Sequence, residues 1–568
     1  MSVLLKAPWT CRFLGFWTIP LLLCFALFPP GLGALEDLYW ELPAPFSASG
    51  SFPVSASNGD LSVVAWQESS ALPSGGEGSS GISVSLALKS PGASWRILPN
   101  VAGPYAYAGV EPAILSIALD RQNRILIAAA ASTTRTEILV SEDQGESFSS
   151  YRLDMGSENS VAPRLVVRAD GGYLLFVTRS IGESLSIYYS RSDNARVWSP
   201  FQAFLEDPSL QLNFLPAHAA LDSRDYVVFQ SFMPGRGTIP AFQLFLKMSD
   251  DGGLSWTPSR RITGFPDPVS NTEADPERFD NQRAFLIPWN GRLFLTWERR
   301  YGTEHPQIYS AGLDREGFLT GKVERVNRDP AYCNNPVAFL RRGEPLVVWF
   351  DNRQRGDRVY LARHDGENWL NRDLSGSSGG ASFGRPVLDG EELFVFWQNN
   401  SQDAGRIYAL FPDTTAEPPP LAAVNFTPSG RGRGERIQVS WKDPEDSSGI
   451  SGYSYLLSPL GEDSPPREIM IDNQDEGPQF LDIHIPEDGS WYFSVAARDL
   501  AGNWSEPARI EYIRDTTPPP AAAIIPPEID ERGFLLSNTF SLGWNPPPAS
   551  DVAGYTWELE YLGSAALL

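Results

Sequence analysis

The strongest constraint on this chain is a unit of strands that recurs about every fifty to sixty residues, a period that suits a blade or a solenoid. The unit opens on a proline before a short apolar strand, at Pro53, Pro112, Pro163, Pro216, Pro336 and Pro386. One interval is doubled, and "NQRAFLI" fills it with Arg283 in the proline's place. Each unit continues with a nearly unbroken apolar run: "LSVVAW", "ILIAAAA", "YLLFVT", "YVVFQS", "LFLTWE", "LVVWFD" and "LFVFWQ". Such runs fit strands covered on both faces. A third strand follows, and six units supply a fourth that usually opens on an aromatic, as in "WRILP" and "WTPSRRI". The seventh unit is cut short by "FPDTTAEPPP", and "DLYWELPAPF" near the N-terminus has the character to supply its missing strand. A strand borrowed in this way closes a ring and removes exposed edges. The count predicts an all-β chain with a seven-bladed β-propeller over 36–413. A six-bladed ring with one decorating hairpin is the alternative.

Composition agrees. Apolar residues make up 42% of the chain, enough for real cores, and 48 Pro with 49 Gly suit many short strands and turns. The net charge of −24 repels phosphates, so nucleic acid is not an expected partner. Lys6 and Arg12 precede "FLGFWTIPLLLCFALF" and then "PPGLGA", which predicts a signal peptide over 1–34 cleaved near Gly33 or Ala34. An uncleaved membrane anchor is the alternative, against which stand the short run and Pro20. The expected address is therefore periplasm, cell surface or extracellular space, with membrane attachment only through that segment. Cys11 and Cys24 fall in the leader and leave Cys333 alone, so no intramolecular disulfide is expected. There is no CxxC, HExxH or glycine-rich phosphate loop and only four His, so neither a metal site nor a cofactor is expected.

Between the third and fourth strands of the fourth unit lies "SDDGGLSW", with Ser249, Asp251, Gly253 and Trp256. The second unit repeats it as "SEDQGESF", with Ser141, Asp143, Gly145 and Phe148. A carboxylate that accepts backbone N–H groups, a glycine free to take positive φ, and an aromatic tucked between sheets describe a structural turn. Through these motifs residues 36–413 resemble the sialidase-like family that carries Asp-box (BNR) repeats. The resemblance implies a propeller with these turns on the face opposite its ligand site, and arginines that grip a carboxylate.

On that opposite face the start of each first strand meets the end of each second strand. The sequence places Arg164, Arg179, Asp280, Arg283, Glu298, Arg299, Arg300, Asn334, Asn335, Asp351, Arg353 and Arg385 there. The candidate ligand-binding residues are Arg179, Arg283, Glu298, Arg299, Asp351, Arg353 and Arg385, because converging guanidinium groups bind a carboxylate bidentately. A ring of loop salt bridges with Glu298 and Asp351 as partners is the competing reading. His218 is a further inner-strand residue, more in keeping with packing than with chemistry. Sialidase chemistry also needs an acid/base carboxylate and a tyrosine nucleophile helped by a glutamate. Tyr301 is near Glu298, but the family's Phe/Tyr-Arg-Ile-Pro signature is replaced by "SFPVSAS", and true sialidases have six blades. No catalytic residue is assigned. The expected function is an exported binding or scaffold protein of the cell envelope that recognises a glycan or another acidic ligand. A sialidase-type glycoside hydrolase is the alternative.

A proline-rich linker over 414–424 leads into 425–514, whose strands resemble a fibronectin type III module with Trp441 in the core position and Tyr492 opening "YFSVAARDLAGNWS". Residues 515–568 read as a second linker and a partial second module, since "FSLGW" and "GYTWELEYLG" repeat the earlier "QVSW" and "GYSYLLS". Half a sandwich is expected to expose apolar edges.

Overall fold

The structure, a computed structural model, describes residues 38–560 apart from 72–79, 106–113, 157–159, 183, 208–209, 234–240, 264–278, 303, 355, 377–378, 402–404, 474–477 and 549–551. The predicted leader and Pro112 lie outside the described residues. Among those described, every regular element is a strand. None is a helix long and apolar enough to cross a membrane.

Among the described residues seven four-stranded sheets follow one another, over 51–105, 115–154, 160–203, 211–261, 279–325, 333–373 and 381–410. In the first six, strand order equals chain order, so each strand lies beside the one before it. The seventh takes only three strands from its own stretch. Its fourth is Ala44–Pro45, which pairs with Tyr408 and Ala409. Trp40 secures the same segment by donating its indole N–H to the Leu393 carbonyl at 2.8 Å.

The chain divides into two compact units. One is Arg168–Arg191 with Ser199–Asp373; the other is Leu38–Val167, Ser192–Trp198 and Leu374–Leu568. In each, the apolar second strands explain the core. Val63 and Ala65 pack towards the second sheet, while Val64 and Trp66 pack towards the seventh. Leu293, Leu295 and Trp297 pack towards the fourth sheet, whereas Phe294 packs towards the sixth. Successive side chains of a strand point to opposite faces, so a strand between two neighbours must be apolar at every position.

The first strands carry a two-residue bulge whose leading residue has left-handed backbone: Phe52 (φ 51°), Leu215 (53°), Arg283 (48°), Asn335 (51°) and Phe383 (57°). Ala162, at φ 57° before Pro163, matches them. Register corrects the sequence alignment here. The second bulge position holds Pro53, Pro216, Ala284, Pro336 and Gly384, so Ala284, and not Arg283, stands in the proline's place. Pro386 lies two residues beyond its own bulge. The bulge leaves a residue out of the ladder, so a missing N–H is tolerated there and proline is one option among several.

In the second unit, residues 421–514 form a sandwich. Leu421–Ala423, Arg436–Trp441 and Gln479–His484 make one sheet. Arg431–Gly432, Ala508–Arg514, Gly489–Asp499, Ile450–Ser458 and Ile471–Asp472 make the other. Both contribute to one core around Trp441, Tyr453, Phe493, Val495 and Tyr512. Beyond it Ala523–Ile525 pairs with Gly543–Asn545, and Ile524, Phe534 and Trp557 are exposed.

Candidate functional site

The two clean turn motifs have nearly identical geometry. Ser141 and Ser249 each donate a hydroxyl to the Asp two residues on, at 2.8 Å in both, and accept the N–H of Gly145 at 2.7 Å and of Gly253 at 2.8 Å. Asp143 and Asp251 in turn accept the backbone N–H of Ser147 at 3.0 Å and of Ser255 at 2.9 Å, and also their hydroxyls. This second serine is a missed member of the motif; its signal was the shared Ser before the aromatic in "GESF" and "GLSW". Gly145 and Gly253 sit at φ 85° and 79°, and an added Cβ would meet Leu98 and Leu174 at 2.8 and 3.0 Å. Trp256 packs edge-on against Phe176, Tyr189 and Phe204. These carboxylates complete turns.

Their hydrogen bonds, first those from Ser147 and Ser255, hold Asp143 and Asp251 down at about 2, below the ordinary value of 3.8. A lowered folded-state value favours the ionised carboxylate in the native protein. The stabilisation is therefore complete above about pH 4 and is lost as pH falls through about 2. Urea melts between those limits should show a decline that is shallower in an Asp143→Asn/Asp251→Asn variant. Equal slopes would show that these two turns do not contribute to it.

The predicted ligand-binding residues divide into distinct settings. Arg299 is buried, with its guanidinium carbon 3.7 Å from the Phe279 ring centre and 5.0 Å from that of Tyr309. Arg353 donates through Nε and Nη2 to the fully buried Asp351, at 3.0 and 2.6 Å, and lies over the Tyr360 ring. Asp351 also accepts the Trp349 indole N–H at 2.9 Å. Arg179 stacks on Tyr188 at 4.6 Å. Tyr301 packs on the Phe279 ring. His218 pairs with the buried Asp225 at 2.8 Å.

Two arginines of the fifth sheet are set differently. Arg283 Nη1 donates to Glu298 Oε2 at 2.7 Å, and Arg300 Nη2 to Asp280 Oδ2 at 2.6 Å. Both arginine side chains are 41% exposed, over carboxylates only 4% and 9% exposed. Burial raises the Glu298 carboxyl above its ordinary value, and the Arg283 charge opposes that rise.

In the second unit, Arg385 and Arg164 take equivalent places on the first strands of the seventh and third sheets. Arg385 follows its bulge directly and faces Phe396 across the hairpin. Arg164 likewise follows Ala162 and Pro163. Elsewhere this place holds Val54, Ala217, Phe285 and Val337. Burial lowers both guanidinium groups, and Arg385 is pushed down to about 10 by burial first and by the Arg164 charge second. Both residues keep intermediate exposure, so solvent still reaches them in crowded surroundings. At neutral pH Arg385 remains protonated, since about 10 lies well above 7. Like-charged guanidinium groups repel one another, and an anion bound between them offsets that repulsion.

Among the described residues, Asp413, Asp446 and Asp499 bring carboxylate oxygens within 4.8 Å of one another, close enough to share a cation. Asp499 already accepts the N–H groups of Gly502 and Asn503, and Asp446 those of Ser448 and Gly449. Sequence reasoning missed this group because its members come from the residue before the linker, a loop that crosses between the two sheets of the sandwich, and a strand end.

No protein-family model and no curated protein matches the chain. Among solved structures, the polysaccharide lyase Uly1 is similar at 12% identity and a TM-score of 0.44, over 66% of this chain and 92% of that one. A fungal alcohol oxidase of the AA5 family, in complex with copper, gives 11% and 0.42, over 84% and 100%. The α-L-arabinofuranosidase Arb93A from Fusarium graminearum gives 12% and 0.39, over 57% and 97%. At these values the likeness assigns the chain neither family nor activity.

Proposed function

We propose that this chain is an exported binding or scaffold protein of the cell envelope that holds an acidic glycan or another carboxylate-bearing ligand. In this reading the seven sheets are blades of a sialidase-like β-propeller with Asp-box turns, and residues 425–514 are a fibronectin type III-like spacer. The topology of three strands against five, with Trp441 in the shared core, supports the spacer assignment. The observation that carries the ligand is the placement of Arg164 and Arg385, each two residues after a left-handed residue of a first strand, with the Arg164 charge adding to the burial that lowers Arg385. Guanidinium forks suit the planar carboxylate of a sugar acid, and charge-assisted bonds are the strong ones. Hydrolysis is the less supported reading. Glu298 is engaged by Arg283 and by the Asn335 N–H, and Tyr301 packs on Phe279.

The test is calorimetric titration with acidic and neutral oligosaccharides at physiological salt. Arg385→Ala and Arg164→Ala should each weaken acidic-ligand binding about tenfold or more, as loss of a bond to a charged group implies. Undiminished binding in both variants would remove the site from this position. Sugar release from a fluorogenic sialoside, abolished by Arg385→Ala, would replace binding by hydrolysis.

A further inference from the structure

The fifth sheet carries a feature that its structural duties do not require. Four second strands place a buried polar side chain at one register, opposite the residue that precedes the bulge: Gln67, Gln230, Glu298 and Gln398. Three of them reach the next sheet and accept the N–H of its left-handed bulge residue. Gln398 Oε1 accepts from Phe52 at 3.0 Å, Gln230 Oε1 from Arg283 at 2.9 Å, and Glu298 Oε1 from Asn335 at 2.7 Å. A neutral amide does this work in two of the three. A carboxylate in the same enclosed place bears the penalty of burying charge. Burial is the main reason that the Glu298 carboxyl lies above its ordinary value.

What glutamate adds is a second acceptor oxygen, and Oε2 takes Arg283 Nη1. The bulge position of Arg283 is uncharged elsewhere, as Phe52, Leu215, Asn335 and Phe383 show. Arg300, from the register row two residues away, repeats the arrangement over Asp280. One edge of each guanidinium is thus tied to a buried carboxylate, while the side chain remains 41% exposed. Pinning a long side chain in advance removes ordering that a ligand would otherwise have to impose.

We infer that Arg283 and Arg300 form an oxyanion-binding element for a carboxylate-bearing sugar, with Glu298 as the residue that positions Arg283. The element stands in a different unit from Arg164 and Arg385 and does not depend on that site.

The experiment uses the full chain labelled with ¹⁵N at arginine Nε, titrated with D-glucuronate, with D-glucose as the neutral control. Signals are assigned through Arg283→Lys, Arg300→Lys and Arg385→Lys. The Arg283 and Arg300 signals should shift with glucuronate and stay fixed with glucose. In Glu298→Gln the amide keeps the Asn335 bond, so melting should stay within a few degrees of wild type. The Arg283 response should weaken at least about tenfold, and the Arg385 response should be unchanged. An unmoved Arg283 signal in the wild type at about 10 mM glucuronate, above the millimolar range of weak sites, overturns the inference. So does a Glu298→Gln variant that melts far lower yet binds as before, since the carboxylate is then purely structural. A response at Arg385 alone leaves the proposed function standing without this element, and a response at Arg283 and Arg300 alone keeps this element and removes the site at Arg164 and Arg385.

Discussion

Asp351→Ala is expected to destabilise the unit formed by residues 168–191 and 199–373 by about 3–5 kcal/mol, the range for breaking a buried ion pair from one side. Asp351 is fully buried and accepts Arg353 through two nitrogens and Trp349 through its indole N–H. The Arg353 side chain is only 11% exposed and lies over Tyr360, so after the loss of Asp351 it keeps the exposed Asp329, 3.1 Å from Nη1, but loses the partner that meets its buried edge. Thermal and urea melts measure the loss. Arg353→Met, which removes the guanidinium but keeps much of the packing on Tyr360, leaves the carboxylate as the stranded charge and should also lower stability. If Asp351→Ala melts within about 0.5 kcal/mol of wild type, the pair is behaving like an exposed salt bridge. Arg353 would then be available to a ligand.

Phe46→Ala is expected to lower stability by about 3 kcal/mol and to loosen the borrowed strand of the seventh sheet. Phe46 makes edge contacts with Trp66, Trp95, Phe396 and Phe411, at centroid distances of 6.0, 6.0, 5.0 and 6.1 Å. Its N–H donates to the Ile407 carbonyl at 2.7 Å, and the Ile407 N–H donates to Ser47 Oγ at 3.0 Å. These bonds cover the edge of Arg406–Leu410, which would otherwise offer unpaired backbone to another chain. Hydrogen exchange at Ile407 should quicken in the variant, with concentration-dependent aggregation on warming. Unchanged exchange at Ile407 would mean that the backbone pairing of Ala44–Pro45 holds without the aromatic anchor.

Both expectations concern groups whose roles differ in legibility. The Asp143 and Asp251 turns were readable because all their bonds span two to four residues. The apolar second strands were readable because burial on both faces leaves no polar position to confuse the pattern. The arginines were not separable in this way. Arg299, Arg300 and Arg353 all lie near second-strand ends in the sequence. One stacks on rings, one stands half-exposed over Asp280, and one closes on Asp351. Adjacent residues on a strand point to opposite faces, so neighbours in sequence meet different surroundings.

The sequence by itself therefore determined an all-β chain, the repeat of its sheets, the borrowed strand near the N-terminus and the local turns. These follow from strand period, turn chemistry and contacts between near neighbours. Only the tertiary structure decided where each bulge falls, which placed Ala284 rather than Arg283 with the prolines. It also decided that Arg164 and Arg385 each stand two residues after a left-handed residue of a first strand and that Glu298 stands in a slot filled elsewhere by glutamine. A bulge shifts register by one residue, and contacts between sheets join positions far apart in the chain. No local pattern encodes either one.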